Sequence, residues 1–298
     1  MLARSLQFML ISGFGLSVAG LWWLWRHSPV FALAGLLLGL LVYLKLFAIP
    51  FFIARLVNRK DPAPPAPLAT WVAAWWAEVV AASRVFLWRQ AFAWNDYPDQ
   101  VGGDSGQKGR RGVVLIHGFV CNRGIWGPWL QRLTQDKRAF AAVNLEPVFG
   151  SIDDYAVLVE QAVKSVTAAS GLPPLVVGHS MGGLAVRAWL RSGAGNDARV
   201  HHVVTIGTPH HGTWLGRSAT APNGKQMAID SRWLLQLQAD EPVSRYGNFS
   251  CFYSNCDNIV FPASTATLSG ADNRLVAGAP HLAMAFNASV MDAAFAKL

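Results

Sequence analysis

The stretch that most constrains this 298-residue chain is Leu175-Val176-Val177-Gly178-His179-Ser180-Met181-Gly182-Gly183. An apolar run of strand length passes directly into Gly-x-Ser-x-Gly and then into a helix-compatible segment. A strand that feeds a helix through so short a turn forces the serine into a strained backbone geometry. Glycines are then needed wherever a Cβ would strike the neighbouring strand or helix. The predicted outcome is a Ser180 hydroxyl raised above the sheet edge at a helix N-terminus, where developing negative charge is favoured. The five-residue pattern alone is short enough to recur by chance, so its surroundings carry the weight.

Those surroundings are ordered. Gly112-Val113-Val114-Leu115-Ile116 is a second buried-strand pattern and ends in His117-Gly118-Phe119. Val203-Val204-Thr205-Ile206-Gly207 is a third, followed by Thr208-Pro209-His210-His211-Gly212-Thr213. Phe249-Ser250-Cys251-Phe252-Tyr253-Ser254 runs into Asn255-Cys256-Asp257, and Gly278-Ala279-Pro280-His281 closes the set. Core strands are predicted near 113–117, 141–145, 175–178, 203–207, 249–254 and 273–276, with crossover helices near 154–169 and 181–192. Candidate nucleophile Ser180, acid Asp257 and base His281 thus follow one another in chain order, each at a strand end or in a loop. A site at the carboxyl edge of a parallel sheet needs that placement.

On these residues the chain resembles the bacterial triacylglycerol lipases and related esterases of the α/β-hydrolase superfamily, particularly the small members with a minimal core. The resemblance spans roughly residue 111 to the C-terminus. Its specific pieces are His-Gly-Phe, Gly-His-Ser-Met-Gly-Gly, Ile-Gly-Thr-Pro-His-His-Gly-Thr and Tyr-Ser-x-x-Asp-x-Ile-Val around Asp257. It implies an α/β-hydrolase fold, a mostly parallel sheet flanked by helices, and hydrolysis of carboxylic esters through an acyl-enzyme. Many larger bacterial lipases carry a calcium-binding aspartate two positions after the catalytic histidine. Ala283 stands there in this chain, so no metal and no cofactor is expected.

The chemistry also follows from the residues. A serine hydroxyl is a weak nucleophile near neutral pH, so His281 must accept its proton during attack and return it to the leaving alcohol. Asp257 would hold the imidazole in the productive tautomer. The oxyanion needs preorganised donors, assigned to the backbone N–H groups of Phe119 and Met181. His117 and His179 adjoin those donors and are expected to line the site without carrying protons. His210 and His211 have no carboxylate or cysteine at ligand spacing, which favours packing over metal binding. Asp272 competes with Asp257 as the acid, but its Ser-Gly-Ala-Asp-Asn surroundings are those of a turn.

The first sixty residues serve another purpose. Residues 6–25 are uncharged over about the ~20 residues that span a bilayer, and 30–53 form a second such stretch interrupted only by Lys45. The short link between them predicts an antiparallel transmembrane hairpin, with Trp22, Trp23 and Trp25 suited to one interface. A cleaved signal peptide is the competing interpretation, weakened by the second span. Six Lys or Arg and no acid lie in these sixty residues, so the remainder carries only +2 of the net +8. That basicity points to membrane lipids as partners and not to nucleic acid. Arg4, Arg55, Arg59 and Lys60 at the two ends, against Arg26 in the link, predict an inner-membrane protein whose hydrolase domain faces the cytoplasm.

Three parts are therefore expected: an anchor over 1–60, a linker region over 61–110 and a catalytic domain over 111–298. The linker region opens with a stiff Pro-rich spacer, 61–67. Residues 68–94 then form a Trp-rich helix that lies along the membrane or packs on the core, with Trp71, Trp75, Val79 and Ala82 on one face. Residues 99–111 read as an exposed loop. Residues 213–240 fit either a lid or an ordinary packed insertion. Cys251 and Cys256 are close enough in sequence to pair, although an odd count of three fits a reducing compartment. The predicted activity is that of a membrane-anchored lipase or carboxylesterase acting on a hydrophobic ester. The alternatives are an acyltransferase or thioesterase with the same triad, and a non-catalytic membrane scaffold.

Overall fold

The computed structural model describes residues 2–102 and 107–298; most of the loop expected over 99–111 falls within them, and 103–106 lie outside. Among these residues six strands, β1 (Val113–Ile116), β2 (Phe140–Val143), β3 (Leu175–His179), β4 (His202–Ile206), β5 (Phe249–Tyr253) and β6 (Asp272–Leu275), form one sheet. Their order is β2-β1-β3-β4-β5-β6 and every neighbouring pair is parallel. The chain steps from β1 out to β2, then crosses back to the other side of β1. This reversal between β1 and β3 makes a topological switch point, where a crevice opens outside the carboxyl ends of the strands. The strands lie where the sequence predicts, their ends differing by at most two residues.

Among the described residues ten helices accompany them: α1 (Leu2–His27), α2 (Pro29–Val57), α3 (Leu68–Arg84), α4 (Gly127–Gln135), α5 (Ala156–Ser170), α6 (Met181–Ser192), α7 (Pro222–Gln226), α8 (Arg232–Asp240), α9 (His281–Met284) and α10 (Ala288–Phe295). The sheet is covered on both faces, which is why its central strands are continuous Val/Leu/Ile runs and do not alternate with polar residues. Alternate side chains of β1 divide between two cores. Val114 and Ile116 join a cluster with α5, α6 and α8. Val113 and Leu115 join another that includes the end of α3, α4, α9 and α10. The outer strand β6 is Asp-Asn-Arg-Leu and half-exposed, a polar edge that discourages a further strand from adding.

Helices α1 and α2 are each long and apolar enough to cross a membrane, and Lys45 and Pro50 do not interrupt α2. They pack together, with Gly35 of α2 against Leu21 and Leu24 of α1. Both open ends of the hairpin meet the core side. The Gln7 amide donates to the Ala91 carbonyl at 2.7 Å, and the Tyr43 hydroxyl lies 2.8 Å from that of Ser83. Phe51 and Ala54 of α2 share a cluster with Trp71 and Ala74 of α3 and with Cys256 and Phe261.

Of the two placements considered for the Trp-rich helix, packing on the core is the one observed. Trp71, Val79 and Ala82 of α3 are buried, while Val72 and Trp76 on its other side are exposed. The Pro-rich segment before it does not stand off as a free spacer. The Pro64 carbonyl accepts from Asn255 at 2.7 Å and the Asp61 carboxylate accepts from the Ser264 amide at 3.1 Å. Residues 213–240 are likewise a packed insertion, since Met227, Leu234 and Leu237 join the cluster under α6. All three cysteines are buried and unpaired.

Candidate active site

Ser180 joins β3 to α6 with φ 55° and ψ −128°, a conformation that costs a non-glycine residue about 1–3 kcal/mol and persists only when its surroundings impose it. The surroundings do so with glycine. A Cβ on Gly178 would lie 2.6 Å from the Gly183 nitrogen, and one on Gly182 would run into the carbonyls of Ile116 and His117. The Ser180 amide is tied to the Ile206 carbonyl at 2.8 Å. Across the switch point, a Cβ on Gly118 would stand 2.7 Å from that of Ser180, so the loop after β1 lies directly against the serine. Within that loop Val120 also has positive φ, 51°. Among the described residues the N–H groups of Phe119 and Met181 have no hydrogen-bond acceptor, leaving both free beside Ser180.

Asp257 follows β5 and His281 begins α9. Nδ1 of His281 is 2.9 Å from Oδ2 of Asp257. The other carboxylate oxygen accepts the amides of Ile259 and Val260, both at 2.8 Å. A Cβ on Gly207, whose φ is +56°, would press on Asp257 Oδ2 and His281 Nδ1, each at 3.1 Å. Asp272 is elsewhere, in β6, bonded to Arg274 and Ser250. Ser180 and His281 line the same pocket, and among the described residues no hydrogen bond joins them.

Burial disfavours a charged imidazole at position 281, but the charge and hydrogen bond of Asp257, with the Glu78 carboxylate behind them, raise its pKa above the ordinary 6.5. The flanking histidines differ. His179 lines the pocket, its Nε2 3.2 Å from the His281 carbonyl; burial first, then the neighbouring His281, lowers its pKa to about 3. His117 is not among the pocket-lining residues. It braces the loop from behind, accepting the Leu145 amide on Nε2 at 3.0 Å and meeting the Gly118 carbonyl with Nδ1 at 2.8 Å. Burial lowers its pKa to about 4. Both rings are neutral at physiological pH and unsuited to carrying protons. His210 is buried away from the site, 3.0 Å from the Thr205 hydroxyl.

The pocket encloses about 320 Å³, and its walls include Phe119, Ala82 and Phe86, Leu282 and, from the hairpin, Leu46, Phe47 and Pro50. Two contributors escaped the sequence reading: this part of α2, and Glu78, a buried carboxylate of α3 that also lines the pocket. Glu78 was visible in principle, as a lone acid on the apolar face that carries Trp71 and Ala82, where burial demands a partner.

Residues 113–296 match the Alpha/beta hydrolase family, and the chain belongs to it. Among solved structures, the fold is similar to that of the mature form of the Bacillus licheniformis lipase BlEst2, with a TM-score of 0.53 and 16% identity, covering 63% of this chain and 90% of that one. It is also similar to Aspergillus fumigatus lipase B, with a TM-score of 0.52 and 20% identity over 62% of this chain. The match takes in only 49%, about half, of the Aspergillus chain. At such identities the likeness is one of fold. A search of curated proteins found no match.

Proposed function

We propose that the protein is a membrane-anchored serine hydrolase that cleaves carboxylic esters of lipid-like substrates through an acyl-Ser180 intermediate. One observation carries this reading: a strained Ser180 and an Asp257-oriented His281 open into an apolar pocket walled partly by the hairpin. The lipase names borne by the two structural relatives agree with it.

In the proposed reaction His281 takes the Ser180 proton as Oγ attacks the ester carbonyl, and Asp257 stabilises the resulting imidazolium. The oxyanion is received by the N–H groups of Phe119 and Met181, fixed by the backbone before substrate arrives. His281 then protonates the departing alcohol. Water, activated by the same imidazole, releases the acid and restores the serine.

The division of labour follows: residues 1–60 anchor, 61–110 connect and brace, and 111–298 catalyse. The anchor holds the pocket where hydrophobic esters dissolve. Arg4, Arg55, Arg59 and Lys60 at the open ends of the hairpin, against Arg26 in its link, support a catalytic domain on the cytoplasmic side of a bacterial inner membrane.

The test is hydrolysis of esters with short, medium and long acyl chains by the full chain in detergent, wild type beside Ser180→Ala. Activity rising with acyl length and reduced about 10⁴- to 10⁶-fold by the substitution is expected. Equal activity in both proteins overturns the reading, and product appearing only when an alcohol or thiol acceptor is added makes the enzyme a transferase.

A further inference from the structure

Glu78 is the only acid in α3 and lies on its inward face, with Trp71, Ala74, Ala81 and Ala82 buried around it. A carboxylate there is destabilising unless its charge and lone pairs are met. Backbone amides meet them: the Leu282 N–H is 3.0 Å from both Oε1 and Oε2, and the Ala283 N–H is 3.1 Å from Oε2. These are the two residues directly after His281. The amide of His281 itself donates to Oδ1 of Asn258 at 3.1 Å. The turn that carries the base is thus held from two sides, by Asn258 from the core and by Glu78 from the helix that follows the hairpin.

We propose that Glu78 is a positioning residue for His281: its carboxyl group fixes the backbone of the 281–283 turn and, when ionised, adds a second negative charge, beside that of Asp257, near the imidazole. This rests on the assignment of Ser180 and His281 as nucleophile and base. Helix α3 lies outside the 113–296 segment that matches the family, so the support comes from this chain's own N-terminal region. It gives the segment between anchor and core a role in the chemistry as well as in attachment.

The electrostatics agree. Burial pushes the Glu78 pKa up to about 7, against the opposing pull of His281 and the two amides, with Asp257 adding to the rise. Glu78 in turn helps raise the pKa of His281. The titratable groups acting on Glu78 are His281 and Asp257. His179 packs against the His281 ring at a centroid distance of 4.7 Å, and from α2 Tyr43 turns to Ser83.

The experiment is the rate of Ser180 modification by a fluorophosphonate across pH, with kcat and KM for a short soluble ester, on the full chain in detergent. Wild type, Glu78→Gln and Glu78→Asp are compared, each checked for folding by thermal unfolding. Glu78→Gln is expected to lower the maximal rate and kcat by about 10- to 100-fold with little change in KM. It is also expected to move the midpoint of the rising pH limb modestly to lower pH, because the ionised fraction of Glu78, which favours the imidazolium, is gone. Glu78→Asp keeps the charge but is one methylene shorter, so a reduced rate at an unmoved midpoint is expected. A Glu78→Gln protein with unmoved midpoint, whether or not its rate falls, overturns the proposal and leaves at most a structural brace. Should Glu78→Gln not fold, Glu78→Asp decides: a wild-type rate or a shifted midpoint overturns it. A folded wild type that takes no label at Ser180 overturns the nucleophile assignment and this proposal with it, whereas a labelled wild type beside an unaffected Glu78→Gln overturns this proposal alone.

Discussion

Asp257 presents one carboxylate oxygen to Nδ1 of His281 at 2.9 Å and gives the other to the amides of Ile259 and Val260. The two amides fix the plane of the carboxylate, and that plane sets the direction of the imidazole. Because Nδ1 is the nitrogen bonded to Asp257, Nε2 is the one left for the proton exchange with Ser180 in the proposed mechanism.

Asp257→Asn keeps the shape and one acceptor for the amides but turns an N–H toward Nδ1, favouring the wrong tautomer. A fall in kcat of about 10⁴-fold is expected, with unfolding temperature nearly unchanged. Asp272→Asn, on the polar edge strand, is expected to leave kcat close to wild type. Steady-state kinetics on both variants checks the pair.

Much of this arrangement was legible in the chain. Gly178 and Gly182 flank Ser180 because a Cβ at either place collides with backbone, and such steric demands leave a mark in local sequence. The apolar runs of β1, β3 and β4 were equally plain, since burial on both faces suppresses alternation. The contacts that escaped span long distances in sequence: Glu78 meets Leu282 across 204 positions, and no spacing rule joins them. The pocket wall was hidden for another reason. Phe47 looks like any lipid-facing residue of an apolar helix, and only its packing against the core sets it apart from the α2 residues left exposed. The choice between Trp-rich helix placements was likewise a tertiary matter.

Phe47 reaches the pocket from the hairpin, so enlarging it narrows the space that the proposed activity assigns to an acyl chain. For Phe47→Trp, kcat/KM for long-chain esters relative to short-chain ones is expected to fall by about 10-fold, the order expected of small steric changes in an apolar pocket. An unchanged ratio across an acyl-length series would place the chain elsewhere.

Stability should fall on acidification below neutrality. His117 and His179 have pKa values held down to about 4 and about 3 by burial, so between the unfolded value of 6.5 and those values the unfolded chain binds more protons. Their stabilisation is present above 6.5 and lost as pH falls toward 4 and 3. Glu78 acts in the opposite sense: with its pKa raised from 4.5 to about 7, its stabilisation is present below 4.5 and lost as pH rises through about 7. His281, with its raised pKa, acts in the same sense as Glu78, but His201, His202, His210 and His211 are lowered as well, so the lowered groups outnumber the raised ones. Thermal unfolding of Ser180→Ala in detergent is expected at lower temperature near pH ~5 than near pH ~7; the reverse order contradicts the assignment of neutral buried histidines.

Arg187 of α6, the helix that follows Ser180, is fully buried with Glu241, its Nε 3.0 Å from Oε2. The Tyr246 hydroxyl adds a bond to Glu241 at 2.8 Å, and Arg187 Nη1 reaches the His210 carbonyl at 2.9 Å. Glu241→Ala strands a buried guanidinium, so a loss of about 3–5 kcal/mol in unfolding free energy is expected. Denaturant titration in detergent provides the value.

The most direct test of the central claim is to treat the full-length, detergent-solubilised protein with a fluorophosphonate and locate the adduct by peptide mass spectrometry. An activated serine predicts one adduct on Ser180, absent in Ser180→Ala and strongly slowed in Asp257→Asn. A folded wild type that carries no adduct, or carries it on another residue, would contradict the assignment of Ser180 as the nucleophile.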